Sequence, residues 1–300
     1  MDRRKFLKTA MLSGAGLSIL GDFNALIKTA MAASDPDLVV VSGGPPDKIV
    51  KAALDALGGI KKFISRGDVV VVKPNMGWDR MPEQAANTNP DVVAATVKLC
   101  FEAGAKKVKI FDRSVNDPRR CYVQSGIASS ARAVGAEVSY VDDRKFKDMS
   151  INGIVLKSWP LYTELFEADK IINLPIAKSH GLAKLTLSMK NWMGVMGGSR
   201  SQIHQKLDDC LVDLSMKIRP TLTILDAVRI LTANGPQGGS LSDVKRLDTV
   251  IVGKDHVAVD SFGTTLFGIK PSDLACLKRA ESRGLGTTDL RRLKVEKIHV

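Results

Sequence analysis

Val69-Val70-Val71-Val72-Lys73-Pro74-Asn75 decides the fold class. Four consecutive β-branched residues without polar alternation suit a strand buried on both faces, as in a parallel sheet covered by helices above and below. Pro74 has no N–H to give to a ladder, so the strand ends there and the chain turns out of the sheet. Lys73 and Asn75 thereby fall at the carboxyl end of a strand, where open α/β sheets bind ligands.

The segments on either side repeat the alternation of short β-branched runs with helical patterns. Toward the N-terminus, Leu38 to Val41 reads as a strand, followed by Gly43-Gly44-Pro45-Pro46 and a helix from Asp47 to Leu57. Beyond Asn75, Asn89-Pro90-Asp91 opens a helix with proline in the first turn, where its missing N–H costs nothing, and Gly104 closes it. Strands are predicted at Lys107–Phe111, Glu137–Val141, Lys170–Leu174, Thr221–Leu225, Asp248–Val252 and Leu293–Ile298. Helices are predicted over residues 120–134, 163–168, 205–218, 258–267 and 272–282, with a small hairpin around Asn152-Gly153. No internal repeat or linker interrupts the pattern. The expectation is one three-layer α/β domain over residues 33–300, its mainly parallel sheet carrying helices on both faces.

The first 32 residues read differently. Arg3-Arg4 with Phe6, Leu7 and Lys8, a weakly apolar stretch from Thr9 to Gly21, and the ending Ala30-Met31-Ala32 have the layout of a cleavable twin-arginine export signal. Ser13, Gly14, Gly16, Ser18 and Gly21 break the apolar run, which falls short of the roughly 20 residues of a membrane span. Cleavage is expected after Ala32, with no stable membrane anchor afterwards. The partner this implies is the twin-arginine export machinery, and the destination is the periplasm or another extracytoplasmic space, reached in the folded state.

Removing that segment lowers the net charge of +12 to +9. A basic surface suits anionic small molecules, envelope polymers or membrane surfaces. Nucleic acid is not an expected partner: there is no helix-turn-helix or basic-aromatic stripe, and 5% aromatics leave little for base stacking. Cys100, Cys121, Cys210 and Cys276 are scattered with no C-x-x-C, so no local iron–sulfur cluster or zinc ribbon is expected. Folding before export takes place in a reducing cytoplasm, which predicts mostly buried free thiols.

Polar residues recur after the strands: Lys73 and Asn75, then Asp112, Arg113 and Asn116, then Lys178 and His180, then Asp226 and Asn234. The densest run, Ile171 to Gly181 continuing through Lys190-Asn191-Trp192-Met193-Gly194 to Gly197-Gly198, gathers lysines beside glycines that admit close backbone approach. Lysine charge and amide N–H groups together hold a phosphate or carboxylate. Lys73, Asn75, Lys178, Lys190, Asn191 and Asn234 are the candidate ligand-binding residues. His180 is the candidate acid or base because imidazole titrates near neutrality, with Asp112 or Asp226 to orient it or bind a metal. Asp226 is the candidate metal ligand, and a mixed site could draw on His180, His204, Asp208 or Asp112. Asn234-Gly235-Pro236-Gln237-Gly238-Gly239 matches neither the dinucleotide fingerprint nor the P-loop. No nucleophile elbow or histidine-rich zinc motif is present.

Taken in order, VVVKPNM, NTNPDVV, KIFDRSVNDPRRCY, INLPIAKSHGLAKLTLSMKNWMGVMGG, TILDAVRILTANGPQGG and AVDSFGTTLFG resemble the domain-of-unknown-function family numbered 362, over about residues 38–270. Many members of that family carry ferredoxin-like cysteine clusters, which this chain lacks. The resemblance implies that the family's recurring polar residues fall on Lys73, Asn75, Asp112, Lys178, His180, Lys190, Asn191, Asp226 and Asn234. Two functions stay open: an exported enzyme using acid/base chemistry on an anionic small molecule, or a non-catalytic cofactor-binding or maturation protein of an envelope redox system. A third reading is an interaction protein whose basic face meets anionic lipid.

Overall fold

Two patterns of alternate burial along the strands determine the layers. In the computed structural model, which describes residues 35–300, Val70 and Val72 enter one apolar cluster while Val71 enters another on the opposite face. Val39 and Val41 likewise part from Leu38 and Val40. The expected export signal lies outside the described residues.

In chain order the elements are β1 (Leu38–Ser42), α1 (Pro46–Ala56), β2 (Val69–Pro74), α2 (Pro90–Glu102), β3 (Lys107–Ile110), α3 (Pro118–Gln124), α4 (Ile127–Ala133) and β4 (Glu137–Val138). They continue with β5 (Phe146–Ser150), β6 (Ser158–Tyr162), β7 (Lys170–Leu174), β8 (Ile176–His180), β9 (Lys184–Thr186), α5 (Ser188–Asn191) and α6 (Leu207–Lys217). The last are β10 (Leu222–Leu231), β11 (Val244–Gly253), α7 (His256–Thr265), α8 (Ala275–Ser282) and β12 (Val295–His299).

The main sheet runs β12-β1-β11-β10-β7-β2-β3-β4, with β8 also beside β10 and β9 paired to β8. From β10 to β4 every neighbour along that path is parallel, and β11 and β9 supply the antiparallel pairings. The sheet is therefore mixed but mostly parallel. One face packs on α1, α2 and α4 through residues such as Ile49, Leu54, Val93, Val97 and Ala131. The other packs on α6, α7 and α8, through residues such as Leu211, Leu214, Val257 and Leu277, and on the β5–β6 hairpin. Three layers result, as the uninterrupted valine run requires.

Local signals hold element ends. The Asn89 side chain accepts from Asp91 N at 2.9 Å, capping α2 ahead of Pro90. The helix expected over residues 120–134 is broken into α3 and α4 at Gly126, whose φ of 70° lies in the left-handed region. The strand expected to stop at Leu225 runs on to Leu231, so Asp226 lies inside β10. All four cysteines are buried and free.

Asp213 on α6 ties the far layer together. Its fully buried carboxylate accepts from Ile154 N, Val155 N and Leu156 N at 2.8–2.9 Å and pairs with Arg283 at 2.7 Å. Burial alone would raise its pKa, but the three backbone donors and Arg283 outweigh it, and the pKa is lowered. A depressed folded-state pKa means that the stabilisation is present above the unfolded value of about 3.9 and is lost as pH falls through the folded value. Asp213→Ala is expected to cost on the order of 3–5 kcal/mol at neutral pH, and Asp213→Asn to flatten the acid limb of stability. Urea denaturation across pH measures both, and an unchanged acid limb would contradict this account.

Candidate functional site

The carboxyl ends of β2, β3 and β8 converge on α5. Lys73, the next-to-last residue of β2, is fully buried and donates to Asp112 Oδ1 at 2.7 Å, Pro74 O at 2.8 Å and Asn191 Oδ1 at 3.1 Å. Its three ammonium hydrogens thus have three acceptors. Asp112, two residues beyond β3, takes Met76 N on its other oxygen at 2.6 Å, while the Tyr122 hydroxyl lies 3.0 Å from both its N and its O. Asn191 closes the knot, donating to Lys73 O at 3.1 Å and to Asn173 Oδ1 on β7 at 2.9 Å.

Gly194 covers this pair from the far side. A Cβ there would lie 1.8 Å from Asp112 Oδ1 and 2.5 Å from Lys73 Nζ, so only glycine lets the backbone approach so closely. Gly235 plays the same part at the rim, where a Cβ would lie 1.9 Å from Ser179 O.

A second lysine is differently placed. Lys178 on β8 is buried, and its Nζ donates to Asn75 Oδ1 at 3.1 Å and to Ala86 O. The Trp78 ring stands with its centroid 5.8 Å away. Among the described residues no carboxylate pairs with it. Burial foremost, then the charge of Lys190, hold its pKa well below the ordinary lysine value. Among the described residues Lys190 on α5 has only the Met193 sulfur as a partner, at 3.1 Å, and a thioether is a weak acceptor. Burial and then Arg200 push Lys190 down to about 8.

His180 ends β8. Its Nδ1 accepts from Leu182 N at 3.1 Å and Ala183 N at 3.3 Å, which leaves the proton on Nε2. Burial, followed by the charges of Lys190 and Lys178, pushes it down to about 3. The imidazole is therefore a neutral N–H donor at working pH, not a base poised near neutrality.

These groups line one cavity of about 420 Å³. Among the described residues, five lysine and arginine side chains, Lys73, Arg113, Lys178, Lys190 and Arg200, face it with one carboxylate, Asp112, which Lys73 already neutralises. Arg113 and Arg200 are held by backbone carbonyls: Met196 O at 2.8 Å for Arg113, and Arg113 O at 2.6 Å and Ser114 O at 2.8 Å for Arg200. The buried Thr186 hydroxyl, also on the wall, has no hydrogen-bond partner among the described residues. Val115 and Leu182 are exposed apolar residues at its edge.

Of the residues expected in the site, Lys73, Asn75, Asp112, Lys178, His180, Lys190 and Asn191 share this cavity. Asn234 does not: its amide donates to Asp243 at 2.9 Å in an exposed turn, and only its neighbours Gly235 and Pro236 reach the wall. Asp226 is also removed, as a candidate metal ligand, because β10 continues past it. Its oxygens accept from Asn89 N at 2.7 Å and Val228 N at 2.9 Å, tying the start of α2 to the sheet, and burial pushes its pKa up to about 6. Among the described residues no three His, Cys, Asp or Glu side chains gather as a metal site. Trp78, Thr186, Arg200 and the covering role of Gly194 escape sequence reasoning. Trp78 alone had a local signal, lying three positions beyond Asn75 on the same strand-end loop.

The fold and site together define a three-layer α/β protein with a cation-rich strand-end cavity. The chain belongs to the family described as Domain of unknown function (DUF362), whose model matches residues 70–265. It is 28% identical over 247 residues to a thylakoid-associated protein of Synechocystis sp., covering 80% of this chain and 75% of that protein. Among solved structures it is similar to the lactate racemase apoprotein of Thermoanaerobacterium thermosaccharolyticum, at 12% identity and a TM-score of 0.44 over 72% of this chain. A Thermotoga maritima protein matches at 12% identity and a TM-score of 0.41 over 75% of this chain. The chain covers 54% and 60% of those two structures.

Two substitutions test the knot. Gly194→Ala is expected to cost about 2 kcal/mol or more through overpacking, and Asp112→Ala about 3–5 kcal/mol by leaving the Lys73 ammonium buried without a counter-charge. Urea denaturation midpoints read both. A wild-type midpoint for either variant would show that the pair does not hold these strand ends.

Proposed function

We propose that this protein is exported folded and binds an anionic small molecule or cofactor in the strand-end cavity, acting on it as an enzyme through its own acid and base groups. The observation that carries this reading is the charge imbalance of the cavity wall, with Lys178 and Lys190 lacking any carboxylate partner among the described residues. Buried cations are costly unless paired, and a bound anion supplies the missing pairing. Lys190 and Arg200 hold the anion, the His180 Nε2–H and the Thr186 hydroxyl donate to it, and Lys178 brings an amine of lowered proton affinity. Asp112 acts by keeping Lys73 and the Met76 amide in place. The cavity volume suits a ligand of metabolite size.

Calorimetry with malonate and sulfate, both fully ionised above neutrality, tests the anion site. Binding is expected to weaken as pH rises through about 8, where Lys190 loses its proton. Lys190→Met is expected to lose about tenfold or more in affinity, as removal of a charged hydrogen-bond donor does. Absence of binding, or equal binding by the variant, would refute the assignment.

Support for export comes from Arg3-Arg4 and the small-residue-rich apolar stretch that follows. Replacing both arginines by lysine is expected to trap the uncleaved chain in the cytoplasm. Wild-type protein should appear in the periplasmic fraction beginning at Ala33, as read by intact mass. An unchanged distribution would contradict the export reading.

A further inference from the structure

Resting on the anion site proposed above, we propose that Lys178 forms a covalent imine with a small 2-oxo acid whose carboxylate is held by Lys190 and Arg200. The hydrogen-bond pattern of the two buried lysines carries the argument. Lys73 has three acceptors, one of them a carboxylate, which is the full complement of an ammonium. Among the described residues Lys178 has two, Asn75 Oδ1 and Ala86 O, both neutral. Two acceptors match the two hydrogens of a neutral amine and leave its lone pair uncommitted on a wall of the cavity.

The neighbours fit that assignment. Burial disfavours a positive charge here, and Lys190 and Lys73 repel it, so Lys178 holds a proton less tightly than a surface lysine does. The Trp78 ring, 5.8 Å from Nζ to its centroid, lies at the outer limit of cation–π reach and serves as an apolar wall. Desolvation beside other cations is the arrangement that activates a lysine nucleophile.

The step balances without a further reactant. The Lys178 lone pair bonds to the carbonyl carbon, and the C=O π pair moves to oxygen. That oxygen leaves as water with the two hydrogens that were on nitrogen, the His180 Nε2–H and Thr186 hydroxyl being the wall groups able to hold it on departure. The imine then takes one proton from solvent, and the resulting iminium keeps one N–H for Asn75 or Ala86. A carbonyl compound without a carboxylate forfeits the Lys190 and Arg200 contacts, so the ligand class is oxo acids and not simple aldehydes.

Borohydride trapping tests this on the full chain. With pyruvate or glyoxylate as probe, reduction is expected to add the mass of the acid less one oxygen atom, and fragmentation is expected to place it on Lys178. Malonate should protect the site, and acetone should give no adduct there. Lys178→Arg should lose the adduct. The wild-type peptide map decides the matter even if that variant does not fold. Malonate binding without any Lys178 adduct from either oxo acid would overturn the imine and leave the anion site standing, whereas failure to bind malonate would fall on the anion site itself.

Discussion

The buried pair between Lys73 and Asp112 is the constraint on which the site depends. It joins the ends of two parallel strands, β2 and β3, and through Asn191 and Asn173 it reaches α5 and β7. Taking two charges out of water is expensive, and a pair of this kind persists only where the remaining hydrogen-bonding capacity is met. Here it is met by Pro74 O, Asn191 Oδ1 and Met76 N. Such a pair contributes little net stability over an apolar equivalent, but it makes any other arrangement of these strand ends much worse. The chain thereby holds its one cavity carboxylate away from ligand duty.

That disposition determines the electrostatics of everything around it. With Asp112 engaged, Lys178 and Lys190 face the cavity beside Arg113 and Arg200 without compensation from the protein. In a partly desolvated space like charges lower one another's proton affinity, which is the direction seen for Lys178, Lys190 and His180 alike. Two buried lysines of one cavity thus acquire different surroundings. Lys73 is locked in an ion pair, whereas Lys178 has only neutral acceptors among the described residues, and burial lowers the pKa of both.

Much of this was legible in the sequence because the governing signals are local. The valine run before Lys73-Pro74-Asn75 specifies a doubly buried strand, and strand-end position together with the lysine- and glycine-rich run through Lys190-Asn191 picked out seven residues that share one cavity. The failures have a common cause in the lengths of strands. Nothing local distinguishes Asp226 at a strand end from Asp226 within β10, since its neighbours Ala227, Val228, Ile230 and Leu231 extend the apolar pattern through the bulge in the β10–β11 ladder. Lys178 and His180 were read as following a strand, whereas Pro175 only offsets the chain, and β8 resumes beside β10. Thr186 and Arg200 reach the cavity through long-range packing, to which spacing in sequence is blind. The tautomer of His180 depends on two amides of the following turn, so a residue type suited to acid/base work became a fixed donor.

Burial and the neighbouring like charges give Lys178 a lower proton affinity than an ordinary lysine inside the cationic cavity. A pH titration of the lysine side-chain nitrogens by NMR, with assignment by substitution, tests it most directly. The account predicts that Lys178 loses its proton well below the ordinary lysine range and that Lys190 does so near 8. A Lys178 nitrogen titrating at the usual value of about 10.4 would contradict it.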